Sequence, residues 1–150
     1  MALTRANVET LLIRRCGKLL AAAGLDGTTI TGANGDLNDP LGWAIRQCGG
    51  TVASIVAVAD VDLASVAADD YDQLFDLAEL RALESILGNL DVVTQTVGGR
   101  SENLSDLAAR VQTRLTEKRA LVERQYGVGV GALQTGVIGL DFMQKDEEES

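Results

Sequence analysis

One proline, Pro40, in a chain of 150 residues is the feature that most constrains the fold. Proline breaks the interior of a helix, so nearly the whole chain is free to form long helices. Only 3% of the residues are aromatic, so the core must come from Leu, Val, Ile and Ala, a set that favours packed helices over an aromatic-rich sandwich. We therefore expect an all-α fold, a small bundle over residues 1–126, followed by a C-terminal arm and acidic tail over residues 127–150.

The first helix is predicted from about Thr4 to Ala23. Thr4 suits the N-cap, and Gly24 suits the left-handed position that follows a helix. The apolar residues of this segment recur every three or four positions, as on one face of an amphipathic helix. They are Val8, Leu11, Leu12, Cys16, Leu19 and Leu20.

The middle of the chain alternates between loops and short elements. Residues 26–38 are rich in Gly, Asn, Thr and Asp and are predicted to form a loop. Asp39 is then expected to cap a short helix that has Pro40 at its first position and stops at the glycine pair 49–50. The β-branched stretch 51–59 indicates either a strand or an extended linker that lies on the core.

Two long helices are predicted at about 70–89 and 102–126. We expect them to pack against each other in antiparallel orientation, with the first helix alongside. Asp70 and Gln73 have capping-box character at the start of the first of the two. Between them, the valines, threonines and glycines of residues 91–100 indicate a turn or strand.

The net charge of −9 is unevenly distributed along the chain. Residues 1–25 carry a net charge of +3, residues 26–91 a net −10 and residues 100–126 a net +2. A negative average field repels free nucleic acid and anionic membranes, so we expect no membrane partner. The changes of sign predict faces of opposite charge.

These charges form stripes on the two long predicted helices. The acidic side chains of residues 70–89 lie opposite the apolar face and are interpreted as a solvated surface. The basic side chains of residues 102–126 follow an i, i+4 spacing, and we expect them to pair with the acidic helix of the same or a neighbouring subunit. The interleaved aromatic residues of a nucleic-acid surface are missing. The candidate inter-subunit charge residues are Asp72, Asp76, Glu79, Arg110, Arg114 and Lys118.

The sequence contains no histidine, which excludes a Ser-His-Asp or Cys-His relay and a His-ligated metal. Cys16 and Cys48 lack CxxC spacing and are interpreted as buried, reduced thiols. The glycine-containing loops lack phosphate-loop spacing, and the aspartate-rich loops lack EF-hand spacing. We predict no catalytic residue, no metal and no cofactor. An enzyme that uses paired carboxylates such as Asp72 and Asp76 is a remote alternative.

After Gly127, which is expected to end the last helix, residues 127–142 mix five glycines with apolar side chains. Interior glycines cost about 1 kcal/mol each in a helix, and the segment is too apolar for a solvated linker. It either pairs as a strand with 91–97, extends to a neighbouring subunit or partner, or is mostly disordered. The candidate partner-binding residues of this arm are Val128, Val130, Leu133, Val137, Ile138, Leu140 and Phe142.

The order of these features resembles the head–tail connector (adaptor) proteins of tailed bacteriophages. The resemblance rests on the amphipathic first helix, the short helix with the pattern D-P-x-x-W-A-I-R, the run DYDQLFDLAELRALESILGNLD, the turn GGRSENLSDL into a long helix, and the trailing arm. It implies a structural virion protein that forms a ring, often of twelve copies, between the portal protein and the tail. It also implies location in the virion neck after assembly in the host cytoplasm, with DNA as a non-specific passenger in the channel.

The resemblance further implies that the arm from Gly127 to Phe142 docks into the portal. A ring needs two complementary faces on each protomer, and the acidic and basic stripes are candidates for them. The main alternative function is a small acidic helical interaction module, such as a regulatory subunit or an inhibitor, that binds one partner through the same arm.

Overall fold

Helices dominate the computed structural model, which describes residues 3–54, 56–97 and 101–127, without the side chains of residues 91–97 and 101–104. No β-strand occurs in these ranges, and the predicted all-α bundle is confirmed. The α-helices are α1 (Arg5–Ala22), α2 (Asn38–Gln47), α3 (Asp60–Leu63), α4 (Tyr71–Val97) and α5 (Ser101–Tyr126); the turns Gly35–Leu37 and Ala68–Asp70 are 3₁₀.

α4 is the central helix, because α1, α2 and α5 all pack against it. A surface helix buries one apolar stripe, whereas α4 buries almost every side chain between Leu77 and Leu83. α5 returns antiparallel to α4, so that Tyr126 near its end contacts Asp76 near the start of α4. The predicted antiparallel pair is therefore present, with a buried helix at its centre.

The ends of α1 follow their sequence signals. The hydroxyl of Thr4 accepts a hydrogen bond from the N–H of Asn7 at 3.2 Å, as an N-cap residue does. Gly24 has a φ of +82°, and its N–H bonds to the carbonyl of Ala21 at 3.0 Å while the N–H of Leu25 bonds to that of Leu20 at 2.8 Å. This pair of bonds is a Schellman motif, and the predicted boundaries are confirmed.

A close backbone contact fixes the loop that follows α1. A Cβ atom on Gly17 would lie 2.8 Å from the carbonyl oxygen of Gly27, and a Cβ on Gly27 would lie 2.0 Å from that of Gly17. Only glycine at both positions lets the loop backbone rest directly on the helix. Next to this contact, Cys16 departs from helical geometry with a φ of −138° and marks a kink.

Two local predictions are corrected, and one choice between alternatives is decided. Asp39 does not cap α2, because the 3₁₀ turn leads directly into a helix that begins at Asn38. The described residues of 51–59 form an extended linker, with Val58 only 4% exposed, and not a strand. Residues 91–97 continue α4 as a helix, since β-branched residues cost only a fraction of a kcal/mol each in a helix that is already formed.

The same correction removes one alternative for the arm, because a helical 91–97 offers it no strand to pair with. Gly127 ends α5 as predicted, with a φ of +70° and its N–H bonded to the carbonyl of Glu123 at 3.0 Å. The arm residues beyond Gly127, including all seven candidate partner-binding positions, lie outside the described residues.

Candidate functional site

A cluster of ion pairs joins α1, α4 and α5. Lys118 Nζ lies 2.8 Å from Asp76 Oδ1 and 3.2 Å from Glu79 Oε1. Arg15 Nη1 lies 3.0 Å from Glu79 Oε1, and Arg114 Nη2 lies 3.0 Å from Glu79 Oε2. The Glu79 side chain is only 6% exposed. Two carboxylates thus meet three cations at the junction of the helices.

The cluster holds both carboxylates in the charged form. Burial disfavours the charge of Asp76, but hydrogen bonds from Lys118 and Tyr126 outweigh it and keep the pKa of Asp76 below its usual range. Burial likewise opposes ionisation of Glu79, and the Lys118 charge together with the Arg114 hydrogen bond lowers its pKa. The pKa of the Tyr126 hydroxyl is raised by burial and by its bond to Asp76. A carboxylate kept charged in this way is poorly suited to act as a general acid.

The structure thus places four of the six candidate charge residues in one intrachain cluster: Asp76, Glu79, Arg114 and Lys118. For Asp76 and Glu79 the solvated-face interpretation is wrong, because α1 and α5 both pack on that flank of α4. Asp72 and Arg110 are exposed, and neither forms an ion pair with any described residue. Among the six, these two side chains keep their charges available to a partner.

A basic groove lies between α1 and α5 on the outer side of the ion-pair cluster. It encloses about 510 Å³, is lined by Arg14, Arg15, Lys18 and Arg114, and has Cys16 at its base. Arg114 donates to the carbonyl oxygen of Arg15 at 2.9 Å and so ties the two walls together. Arg14 and Lys18 are exposed, and no described residue forms an ion pair with either. The fold thus joins the two basic segments of the sequence on one face.

A second polar network is buried at the start of α1. Arg5 is 4% exposed, and its guanidinium donates from Nε to Glu9 at 2.8 Å and from Nη1 to the carbonyl of Val58 at 2.8 Å. It also donates to Asn38 Oδ1 at 2.6 Å and to the carbonyl of Asn34. These bonds tie the loop before α2 and the linker before α3 to the first turn of α1.

Glu9 completes this network from the next turn of α1. It is fully buried and accepts from the N–H groups of Gly32 at 2.7 Å and Asn34 at 3.0 Å. The sequence does contain a signal for both residues. Arg5 and Glu9 precede Leu12 and Cys16 at helical spacing, and so lie on the buried stripe of α1.

Beside this network lies an open groove of about 530 Å³. One wall is formed by residues 31–33 and the other by residues 56–60, with the first turn of α1 between them. Most of the lining side chains are small. The exposed large hydrophobic side chains of the described residues are Ile30, Val56 and Val61; Val56 lines the groove and the other two adjoin its walls in sequence. No sequence pattern indicated this groove, because its walls are loops held by tertiary hydrogen bonds.

The described residues contain no group of three or more His, Cys, Asp or Glu side chains placed to hold a metal ion. Every buried side-chain nitrogen or oxygen in the described part of the chain has a hydrogen-bond partner. Burial raises the thiol pKa of Cys16 and of Cys48 to about 11, so both are protonated at neutral pH. None of the described helices is long and apolar enough to span a membrane.

Comparison with known proteins adds no relative. No protein-family model, no curated protein and no solved structure matches the chain. The described fold and its surfaces are therefore the basis for a proposal about function.

Proposed function

We propose that this chain is a structural assembly protein, the head–tail connector of a tailed bacteriophage, which forms a ring between the portal protein and the tail. The proposal rests on the order of features that resembles this class and on one structural observation. That observation is the difference in sign between the exposed, unpaired charges of α1, which are basic, and those at the start of α4, which are acidic.

The basic side comprises Arg14 and Lys18 on α1 and Arg110 on α5, all exposed. The acidic side includes Asp69 and Asp72, which are exposed on and just after the 3₁₀ turn before α4. A head-to-tail contact between identical copies needs two different, complementary surfaces on each copy, and a contact of this kind closes into a ring when its rotation allows. The intrachain cluster has no part in this contact, because its charges are already paired.

A ring of this composition also suits the passage of DNA. The chain is acidic, with a net charge of −9. Each contact between the protein and a DNA phosphate increases the affinity for DNA, and each such contact must be broken as the DNA moves. The average field of the subunit opposes such contacts. DNA is therefore a passenger in the proposed channel.

The test is the oligomeric state of the full chain, alone and with the portal protein of the same genome, measured by native mass spectrometry and negative-stain microscopy. We expect rings in at least one condition. The triple variant R14E/K18E/R110E should abolish them, and adding D69K/D72K at the acidic residues before and in α4 should restore them. R46E, at an exposed arginine on α2, is the matched control and should assemble normally. A stable monomer or a 1:1 complex in every condition would overturn the proposal and favour the interaction-module alternative.

A further inference from the structure

We propose that the groove beside Arg5 is a docking site for the chain's own apolar arm, residues 128–142, in the protomer before it assembles. This inference goes beyond the proposed function, because it concerns the chain before it meets any partner. The groove's apolar rim, its prebuilt walls and the place where the arm leaves the body each support it.

The apolar rim is the first observation. Exposed hydrophobic residues that concentrate in one region of a surface indicate a binding site; Val56 lines the groove, and Ile30 and Val61 precede or follow its lining segments in sequence. Here Val56 is 74% exposed and Val61 is 72% exposed. With Ile30, they account for the exposed large hydrophobic residues in the described ranges, and all three lie in or next to the segments that form this groove.

The walls of the groove are prebuilt. Glu9 holds one wall through two backbone N–H groups, and Arg5 holds the other through the carbonyl of Val58. Asn38 adds two more bonds to the second wall, donating to the carbonyl of Val56 at 2.8 Å and accepting from the N–H of Val58 at 3.2 Å. A preorganised site binds without the cost of ordering its own loops.

The lining fits a narrow chain. Ala6, Gly32, Ala33, Ala57 and Ala59 leave space for a backbone with small or β-branched side chains. The sequence from Val128 to Phe142 contains four glycines among valine, leucine and isoleucine residues, which makes it a mostly apolar segment with a slender backbone.

The arm also leaves the body at the end where the groove lies. α1 runs parallel to α4, since Arg15 contacts Asp76 and the carbonyl of Ala23 accepts from Asn89 further along α4. The start of α1 is therefore at the same end of the bundle as the start of α4 and the end of α5. A residue of extended chain spans about 3.3 Å, so the 15 residues from 128 to 142 reach farther than the length of α5. A short tether gives a high effective concentration of the arm at its own groove.

The experiment places a photo-crosslinking benzoylphenylalanine at position 56 in the full chain. The isolated protomer, as an equal mixture of ¹⁴N- and ¹⁵N-labelled protein, is irradiated and its crosslinked peptides are mapped by mass spectrometry. We expect crosslinks from position 56 to residues 128–142 in which both peptides carry the same nitrogen isotope, because both come from one molecule. The same photo-crosslinker at position 46, on the exposed surface of α2, is the control and should not reach the arm. Absence of crosslinks to the arm, or crosslinks with mixed isotopes, would overturn the inference.

A second measurement uses V56D, which places a charge on the rim. Val56 is 74% exposed, so the helical body should keep its circular dichroism and melting temperature. Chymotrypsin should then cleave after Leu133 and Phe142 several-fold faster than in the wild-type chain, whereas A120D on the exposed side of α5 should leave the rate unchanged. Equal rates in wild type and V56D would refute the docking. Neither measurement depends on ring formation, so a result that refutes the docking of the arm does not refute the proposed function.

Discussion

Replacing Arg5 with alanine tests whether the buried network at the start of α1 stabilises the fold. The variant leaves the carboxylate of Glu9, which is 0% exposed, without its cation. Removing one partner of a buried ion pair costs about 3–5 kcal/mol. A domain of this size has a free energy of unfolding of about 5–15 kcal/mol, so R5A should lose a large part of it. The melting temperature should fall by roughly 6–20 °C.

The assay is urea unfolding followed by circular dichroism at 222 nm, with an unchanged m-value as the condition for comparing free energies. R14A is the matched control on the same helix, because Arg14 is exposed, and its effect should stay within about 0.5 kcal/mol. In R5A/E9Q the unpaired buried charge is gone, so the double variant should lose less stability than the two single variants added together. If R5A lowers the free energy of unfolding by less than about 1 kcal/mol, or if the effects of R5A and E9Q simply add in the double variant, the network does not hold the loops to α1.

Four further outcomes follow from the described contacts. G88A should raise the free energy of unfolding by about 0.5–1 kcal/mol, because Gly88 lies inside α4 and a Cβ atom there would have no neighbour within 4 Å; a loss of stability would contradict this. G27A should lower it by about 1–3 kcal/mol, since the new Cβ would lie 2.0 Å from a carbonyl oxygen of α1, and a neutral result would refute the close contact. The pKa values of Asp76 and Glu79 are lowered in the folded state, so their stabilisation is complete above about pH 5 and is lost as the pH falls through the folded-state values. Urea unfolding between pH 3 and 7 should show this loss, and in D76N/E79Q the free energy of unfolding should depend less on pH. If the variant and the wild type depend on pH equally, the two carboxylates do not cause the loss. Cys16 should resist iodoacetamide at pH 8 until urea is added, because it is 2% exposed and its thiol pKa is about 11, and rapid labelling of the folded chain would contradict its burial.

The sequence allowed the helices and several of their ends to be predicted, because those features depend on local rules. The Schellman motif at Gly24 and the stop at Gly127 follow from the left-handed conformation that glycine adopts readily. The continuation of α4 through 91–97 was missed because β-branched residues favour strands on average. In this chain the same residues continue a helix that is already formed and whose earlier turns pack against three other helices.

The candidate site was predicted less well, because charges were assigned to faces from helical spacing alone. Spacing shows that Asp76 and Glu79 lie opposite the apolar face of α4, but it does not show that α1 and α5 both pack on that flank. Arg5 and Glu9 were missed although they occupy the buried stripe of α1. Their partners include backbone groups 23 to 53 residues away, and no local pattern indicates such pairs.

The central position of α4 has a consequence for amide exchange. The helices α1, α2 and α5 all pack against the same helix, so the separation of any single neighbour leaves α4 in contact with the other two. Amide protons between Leu77 and Leu83 should therefore exchange with deuterium only through whole-domain opening. Their exchange free energy gives the global stability of the fold, and the short elements α2 and α3 should exchange before them.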